Sequence, residues 1–128
     1  LSMGGFHTMH TAALLNQSFD YVGIFSALYV PHTKQPHAER NIEMSYLALS
    51  DKPAYNQTEA LLQQQFANPP QLYWIACGVD DFLYEENVAY RKLLDDNGYD
   101  YLYMESGGGH LWRNWRIYIT DFAQRLFK

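Results

Sequence analysis

The sequence is poor in cysteine and in basic residues, and it has no long apolar run. A single cysteine, Cys77, excludes an internal disulfide but leaves the redox compartment open. There are 9 Lys and Arg residues against 14 Asp and Glu, and the net charge of −5 argues against a surface for nucleic acid or anionic membrane. No stretch approaches the roughly 18–20 apolar residues that cross a bilayer. We therefore expect neither nucleic acid nor a membrane as a partner.

What the sequence does contain is enough apolar and aromatic material for one folded domain. Apolar residues make up 48% of the 128 residues and charged residues 18%, which is typical of a globular chain with one domain. Aromatic residues reach 16%, with 11 tyrosines and 3 tryptophans. This density indicates either an aromatic-rich core or a surface on which sugars or aryl groups stack.

Helical and strand patterns alternate along the chain. Short apolar segments at 21–27 and 71–77 predict buried strands, and the alternation over 99–105 predicts a third. Helical spacing predicts four helices, at 6–16, 57–67, 84–97 and 111–127. Residues 29–55 contain scattered prolines and predict an irregular region with one helical turn near 41–49.

This order predicts an α/β fold built on three parallel strands, because strands joined by helices pair in parallel through right-handed crossovers. Such a short sheet leaves an edge open to a further strand. The chain opens on Leu1-Ser2-Met3-Gly4-Gly5, without an initiator methionine or a signal peptide. We interpret it as one part of a larger domain, which pairs through the open edge with an upstream half or with a second copy.

Polar side chains follow the predicted strands at the edge where sites form in open α/β sheets. Asp80 and Asp81 follow the second strand, and His110 follows the third, after Gly107-Gly108-Gly109. Ser2 precedes the first helix, and Ser2-Met3-Gly4 matches the second half of a G-x-S-x-G turn. Such a turn holds its serine in a strained conformation with the hydroxyl exposed. The order Ser, Asp, His is that of the α/β-hydrolase triad.

These motifs resemble one esterase family of α/β-hydrolases, which includes bacterial feruloyl, acetyl xylan and tributyrin esterases and S-formylglutathione hydrolases. The family's nucleophile segment G-x-S-M-G-G matches the opening of the chain, and its C-G-x-x-D segment matches Cys77 to Asp81. Its G-G-G-H segment and the aromatic helix that follows match Gly107 to His110 with Trp115. The feruloyl-esterase branch is the most similar. The resemblance implies the C-terminal half of the fold, starting at the nucleophile turn, and a secreted or periplasmic enzyme without a cofactor.

The resemblance also implies a role for each matched residue. Ser2 is expected to be the nucleophile, His110 the general base, and Asp81 the acid that holds the imidazole. The backbone N–H of Met3 is expected to supply one donor of the oxyanion hole. The second donor usually comes from a loop after an early strand, which this chain does not contain. We therefore expect weak or no ester hydrolysis from these 128 residues alone.

Other chemistry-bearing residues have simpler interpretations. Asp80 is the alternative to Asp81 as triad acid, although the motif favours Asp81. Glu85 and Glu86 suit the first turn of a helix, where negative charge complements the dipole. His7 and His10 have a spacing that could hold a metal, but no third ligand is evident, so packing or surface positions are expected. His32 and His37 lie in the irregular region and are expected to be solvated. Cys77 is expected to be a small core residue.

Aromatic residues near the strand ends are candidates for substrate binding. Tyr29 lies near the end of the first strand, and Trp112 and Trp115 follow His110. The competing explanation is core packing, since the last helix has an apolar stripe of Trp112, Trp115, Ile119, Phe122 and Leu126.

Three classes of function remain open at this point. The first is a carboxylic ester hydrolase acting on feruloyl or acetyl esters of plant polysaccharide, with an S-formylglutathione-type thioesterase as its enzymatic alternative. The second is a folded remnant without activity that associates through its sheet edge. The third, a carbohydrate-binding module, is disfavoured because such modules are usually β-sandwiches.

Overall fold

A computed structural model describes residues 1–28 and 57–128. Helices and strands alternate through them as the sequence predicts. In chain order they are α1 (Met3–Leu14), β1 (Tyr21–Phe25), α2 (Thr58–Ala67), β2 (Leu72–Gly78), α3 (Tyr84–Asp96), β3 (Leu102–Ser106) and α4 (Trp112–Ala123). The irregular region and helical turn expected within 29–55 lie outside the described residues.

The three described strands form one parallel sheet in the order β1-β2-β3. β2 is central, with Ile24 opposite Ile75 on one side and Ala76 opposite Met104 on the other. The predicted parallel α/β architecture is therefore confirmed. All three strands run in one direction, so their carboxyl ends, Phe25, Gly78 and Ser106, lie along the same edge of the sheet.

One face of the sheet carries the larger part of the core. Alternate residues of β1 and β2 point to this face, as the period of two in a strand requires. Helices α1, α2 and α3 cover it with Met9, Leu62 and Leu94. The full buried cluster comprises Met9, Ala12, Ala13, Val22, Ile24, Ala27, Leu62, Tyr73, Ile75, Tyr90 and Leu94.

The opposite face of the sheet is aromatic and is covered by α4. Phe25 and Trp74 point to this side and meet Trp115 and Tyr118 of α4. The ring of Phe122 lies directly over Gly23, where an added Cβ would come within 3.0 Å of it. Both faces of β2 are therefore buried, as its continuous apolar sequence predicts.

The predicted apolar stripe on the last helix is wrong in three of its five members. Leu126 lies beyond the end of α4 at Ala123. Trp112 and Ile119 are exposed, whereas Asn114 and Tyr118 are buried. The buried stripe is Asn114, Trp115 and Tyr118, with Phe122 partly buried beside it. The buried face of the helix includes the polar side chain of Asn114, because Asn114 donates hydrogen bonds to the preceding loop. A hydrophobicity pattern does not reveal such bonds.

The first helix begins at Met3, three residues earlier than its apolar pattern indicates. The glycine pair Gly4-Gly5 lies within its first turn because α1 packs closely on the end of β1. A Cβ on Gly5 would come within 2.6 Å of the Ala27 Cβ. In the described part of the chain, no helix is long and apolar enough to cross a membrane.

Candidate active site

The backbone at Ser2 has an unusual conformation that the structure around it holds in place. Ser2 has φ 50° and ψ −129°, a region that residues with a side chain rarely occupy. Its N–H donates to the Phe25 carbonyl oxygen at 2.8 Å, and its own carbonyl accepts from Phe6 N–H at 3.1 Å. The serine is thus fixed between the end of β1 and the start of α1, as the sequence predicts for a strained turn.

Asp81 lies in the loop after β2 and is oriented by its own neighbours. Its side chain is fully buried, and its Oδ1 accepts a hydrogen bond from Leu83 N–H at 2.9 Å. Both carboxylate oxygens lie 3.0 Å from Nδ1 of His110. The cost of removing this carboxylate from water is compensated by its charge-assisted hydrogen bonds.

His110 connects Asp81 to Ser2. Its Nε2 lies 2.8 Å from the Ser2 Oγ, while Nδ1 faces Asp81. When the Nδ1 proton is donated to Asp81, Nε2 is left as an acceptor for the serine hydroxyl. The imidazole is mostly buried, between the rings of Phe82 and Trp115 at centroid distances of 4.6 and 4.9 Å. The structure therefore brings together Ser2, Asp81 and His110.

The second aspartate of the pair makes a different contact. Asp80 does not face His110; its Oδ2 accepts from Gly108 N–H at 3.0 Å, and its own N–H donates to the Gly108 carbonyl at 3.2 Å. Of the two acids that the sequence leaves open, only Asp81 touches the imidazole among the contacts of the described residues.

The start of α1 supplies a hydrogen-bond donor beside Ser2. The first intrahelical bonds run from Gly5 N–H to the Leu1 carbonyl and from Phe6 N–H to the Ser2 carbonyl. Met3 N–H lies ahead of both, in the turn where helical N–H groups have no acceptor within the helix. Such a group can bind a developing negative charge.

Several other candidate residues from the sequence analysis lie within the described part of the chain. Cys77 is buried at the end of β2, and burial, followed by the charge of Asp81, raises the pKa of its thiol to about 12, as suits a core residue. Glu85 and Glu86 lie in the first turn of α3. His7 is exposed, whereas His10 is buried against the Phe6 ring.

No metal-binding cluster is found within 1–28 and 57–128, where no group of three His, Cys, Asp or Glu side chains is placed to hold an ion. The remaining two histidine candidates, His32 and His37, lie outside the described residues.

The aromatic candidates divide into buried and exposed side chains. Trp115 is 9% exposed and packs in the core beside His110, whereas Trp112 is 68% exposed and its ring meets Trp115 at 5.2 Å. Tyr29 lies outside the described residues. Phe82, which sequence reasoning did not select, is half exposed and lies against the imidazole. Its position directly after Asp81 is the only sequence signal that could have indicated it.

The sequence is similar to that of a curated esterase. It is 33% identical to an acetyl esterase from Caldicellulosiruptor saccharolyticus over an alignment that covers 100% of this chain and 53% of the relative. The chain thus spans about half the length of that relative. The resemblance to esterases that the three motifs predict is confirmed. No protein-family model matches the chain.

Solved structures share the fold. A ferulic acid esterase superposes with a TM-score of 0.65 at 21% identity, covering 94% of this chain and 46% of the other. S-formylglutathione hydrolase from Staphylococcus aureus gives 0.71 at 23% identity, and the fluorophosphonate-binding serine hydrolase F of that organism gives 0.70 at 22%. Each of these two alignments covers 94% of this chain and 49% of the other. The chain therefore has the fold of part of an α/β-hydrolase.

Proposed function

We propose that this chain carries the catalytic triad of a serine carboxylic ester hydrolase and forms the C-terminal half of its domain. One observation carries the proposal: a continuous set of hydrogen bonds joins Ser2 Oγ to His110 Nε2 at 2.8 Å and His110 Nδ1 to Asp81 at 3.0 Å. The strained backbone at Ser2 and the placement of all three residues at the carboxyl edge of the sheet support it.

The geometry supports an acyl-transfer reaction in two halves. In the first half, Ser2 Oγ attacks the ester carbonyl carbon while its proton passes to His110 Nε2. Collapse of the tetrahedral intermediate expels the alcohol, which takes that proton, and leaves an acyl-serine. In the second half, water gives its proton to His110 and attacks the acyl-serine. The acid leaves and Ser2 regains its proton. Asp81 keeps the imidazole in one tautomer and stabilises the imidazolium.

The oxyanion of each intermediate requires donors in the right place. Met3 N–H at the start of α1 is proposed as one donor. The second is expected from the part of the domain that this chain, spanning about half of its relatives, does not include. Removing one oxyanion donor from an enzyme of this kind costs about 10²–10³ in rate.

Feruloyl or acetyl esters of plant polysaccharide are the proposed substrates. The similarity to an acetyl esterase and the fold shared with a ferulic acid esterase support this class. The half-exposed ring of Phe82 against His110 and the exposed ring of Trp112 against Trp115 offer flat apolar surfaces on which an aryl or sugar group could stack. The fold shared with S-formylglutathione hydrolase keeps a thioester as the second candidate substrate.

A fluorophosphonate probe combined with intact-mass measurement tests the nucleophile. In the complete polypeptide that contains this chain, we expect one added probe, absent from Ser2→Ala and present in Ser18→Ala, an exposed serine away from the site. Hydrolysis of methyl ferulate, of an acetylated xylan fragment and of S-formylglutathione by the same three proteins then separates the substrate classes. Normal hydrolysis by Ser2→Ala would overturn the proposal.

A further inference from the structure

Two loops at the edge of the site are joined along their backbones. Besides the bond between His110 and Asp81, the acid loop, residues 78–83, and the histidine loop, residues 106–111, exchange three hydrogen bonds that involve backbone groups. Val79 N–H donates to the Ser106 carbonyl at 2.9 Å, Asp80 N–H to the Gly108 carbonyl at 3.2 Å, and Gly108 N–H to the Asp80 carboxylate at 3.0 Å. Asp81 and His110 thus belong to loops that are bonded directly to each other.

The contact between these loops leaves no room for a side chain at Gly78 or Gly109. A Cβ added to Gly78 would overlap the Gly108 carbonyl oxygen, and one added to Gly109 would come within 2.9 Å of the Asp80 carbonyl oxygen. Gly108 has φ +81°, a conformation that favours glycine. Gly78 and Gly109 therefore permit the close backbone approach of the two loops, whereas a Cβ on Gly107 would meet open space.

Asn114 holds the histidine loop from its other side. It lies in the first turn of α4, 3% exposed, and its Nδ2 donates to the carbonyls of Gly107 and Gly109, each at 3.0 Å. Both amide protons are consequently used on carbonyl oxygens two residues apart, directly before His110. A buried amide with this arrangement fixes the loop backbone, because losing it would leave two carbonyls with fewer donors.

We propose that Asn114 and Asp80 are positioning residues that set the place of the His110 imidazole between Ser2 and Asp81. Neither side chain contacts the Ser2 hydroxyl or the imidazole in the described contacts, so both act through the histidine loop. The two adjacent acids then have different roles: Asp81 binds the imidazole, and Asp80 binds the backbone of the loop that carries it. This inference rests on the proposed esterase function.

Substitutions of matched shape test the proposal in the complete polypeptide. Asn114→Asp keeps the side-chain shape but replaces the Nδ2 amide group, which donates both hydrogen bonds, by a carboxylate oxygen that the Gly107 and Gly109 carbonyls repel. We expect kcat for an aryl ester to fall by about 10–100-fold with KM changed less than about twofold, since small displacements of a reacting group are costly. Retention of kcat within about twofold by a folded Asn114→Asp variant would overturn the role of Asn114.

Asp80 allows a second test that does not require a substitution at a buried position. Asp80→Ala removes the acceptor for Gly108 N–H at an exposed position and is expected to fold, with kcat reduced by about threefold to tenfold. Asp80→Asn retains an acceptor oxygen and is expected to restore most of kcat. Equal activity of Asp80→Ala and wild type, or equal losses in Asp80→Ala and Asp80→Asn, would overturn the hydrogen-bonding role of Asp80.

Melting temperatures of all variants separate positioning from general destabilisation. We expect the kcat losses to persist well below the melting transition of each protein, where every variant is folded. Losses that vanish on cooling below that transition would assign both residues to stability alone. Retained activity in Ser2→Ala would instead overturn the proposed function, and this inference with it.

Discussion

Ser2 shows how much of a site can depend on one backbone conformation. A serine at φ 50° costs conformational energy, and the structure keeps it there through the bond from its N–H to Phe25 and the close packing of Gly5 on Ala27. Its Oγ thereby lies 2.8 Å from His110 Nε2. Strain at this residue therefore serves to place a single oxygen atom.

Asp81 gives a prediction at the residue scale. We expect Asp81→Asn to lower kcat by about 10³–10⁴, because an amide at this place favours the imidazole tautomer that cannot accept the Ser2 proton. Leu83 N–H can still donate to the amide oxygen, so the loop should keep its conformation. Steady-state kinetics on an aryl ester measure the effect, and activity near that of wild type would contradict the assignment of Asp81.

Cys77 gives a prediction about pH. Burial raises the pKa of its thiol from 9.0 to about 12, so folding favours the protonated form. Its contribution to stability is complete below pH 9 and is lost as pH rises from about 9 to about 12, by about 1.4 kcal/mol per unit at most. Urea unfolding of wild type and Cys77→Ala across this range should show a shallower decline for the variant. Parallel curves would contradict the prediction.

At the scale of elements, α4 carries two tryptophans with opposite surroundings. Trp115 packs against Trp112 and His110 beneath the site, whereas Trp112 projects into solvent. The helix thus supplies a core residue and a candidate binding surface three residues apart. Hydrophobicity alone could not separate them, because both rings fit an apolar stripe.

The two tryptophans should respond differently to truncation. Trp115→Ala is expected to lower the free energy of unfolding by about 3–5 kcal/mol, since it removes a buried indole. Trp112→Ala should change stability by about 0.5 kcal/mol or less and raise KM for aryl esters. Denaturant unfolding and steady-state kinetics on both variants provide the measurements. Equal stability losses would refute the distinction.

Much of this architecture could be predicted from the chain, and the misses have physical causes. Two features are encoded by local sequence. One is the buried apolar run of β2, and the other is the end of α3 just before Gly98, whose N–H donates to the Asp95 carbonyl. The early start of α1 depends on Gly5 meeting Ala27, a contact between segments. Likewise, motif order pointed to Ser2, Asp81 and His110, but the loop contacts of Asn114 exist only in three dimensions.

At the scale of the whole molecule, in our proposal the site has an oxyanion donor from outside this chain. The described sheet has β1 at one edge and β3 at the other, and the chain spans about half the length of its relatives. Among the described strands β1 has a neighbour on one side alone, and its other side suits pairing with a further strand. The proposed oxyanion hole is incomplete without the remaining part of the domain.

We therefore expect the isolated 128 residues to hydrolyse esters at a rate at least about 10²-fold below the complete polypeptide. Adding the remaining part of the domain as a separate polypeptide should restore turnover if the two associate. Turnover assays with purified pieces, alone and mixed, measure this. Full turnover by the isolated chain would show that no outside donor is needed.

The bond between Ser2 and His110 joins positions 108 residues apart, close to the two ends of the chain. Bringing these two atoms together closes a loop of 108 residues, so this bond carries more loop-closure entropy than any contact within one helix. The rate at which a mechanism-based reagent begins to label Ser2 during refolding would then measure how fast this contact forms. It would report the formation of one contact between distant parts of the sequence, which the signal of a single helix does not require.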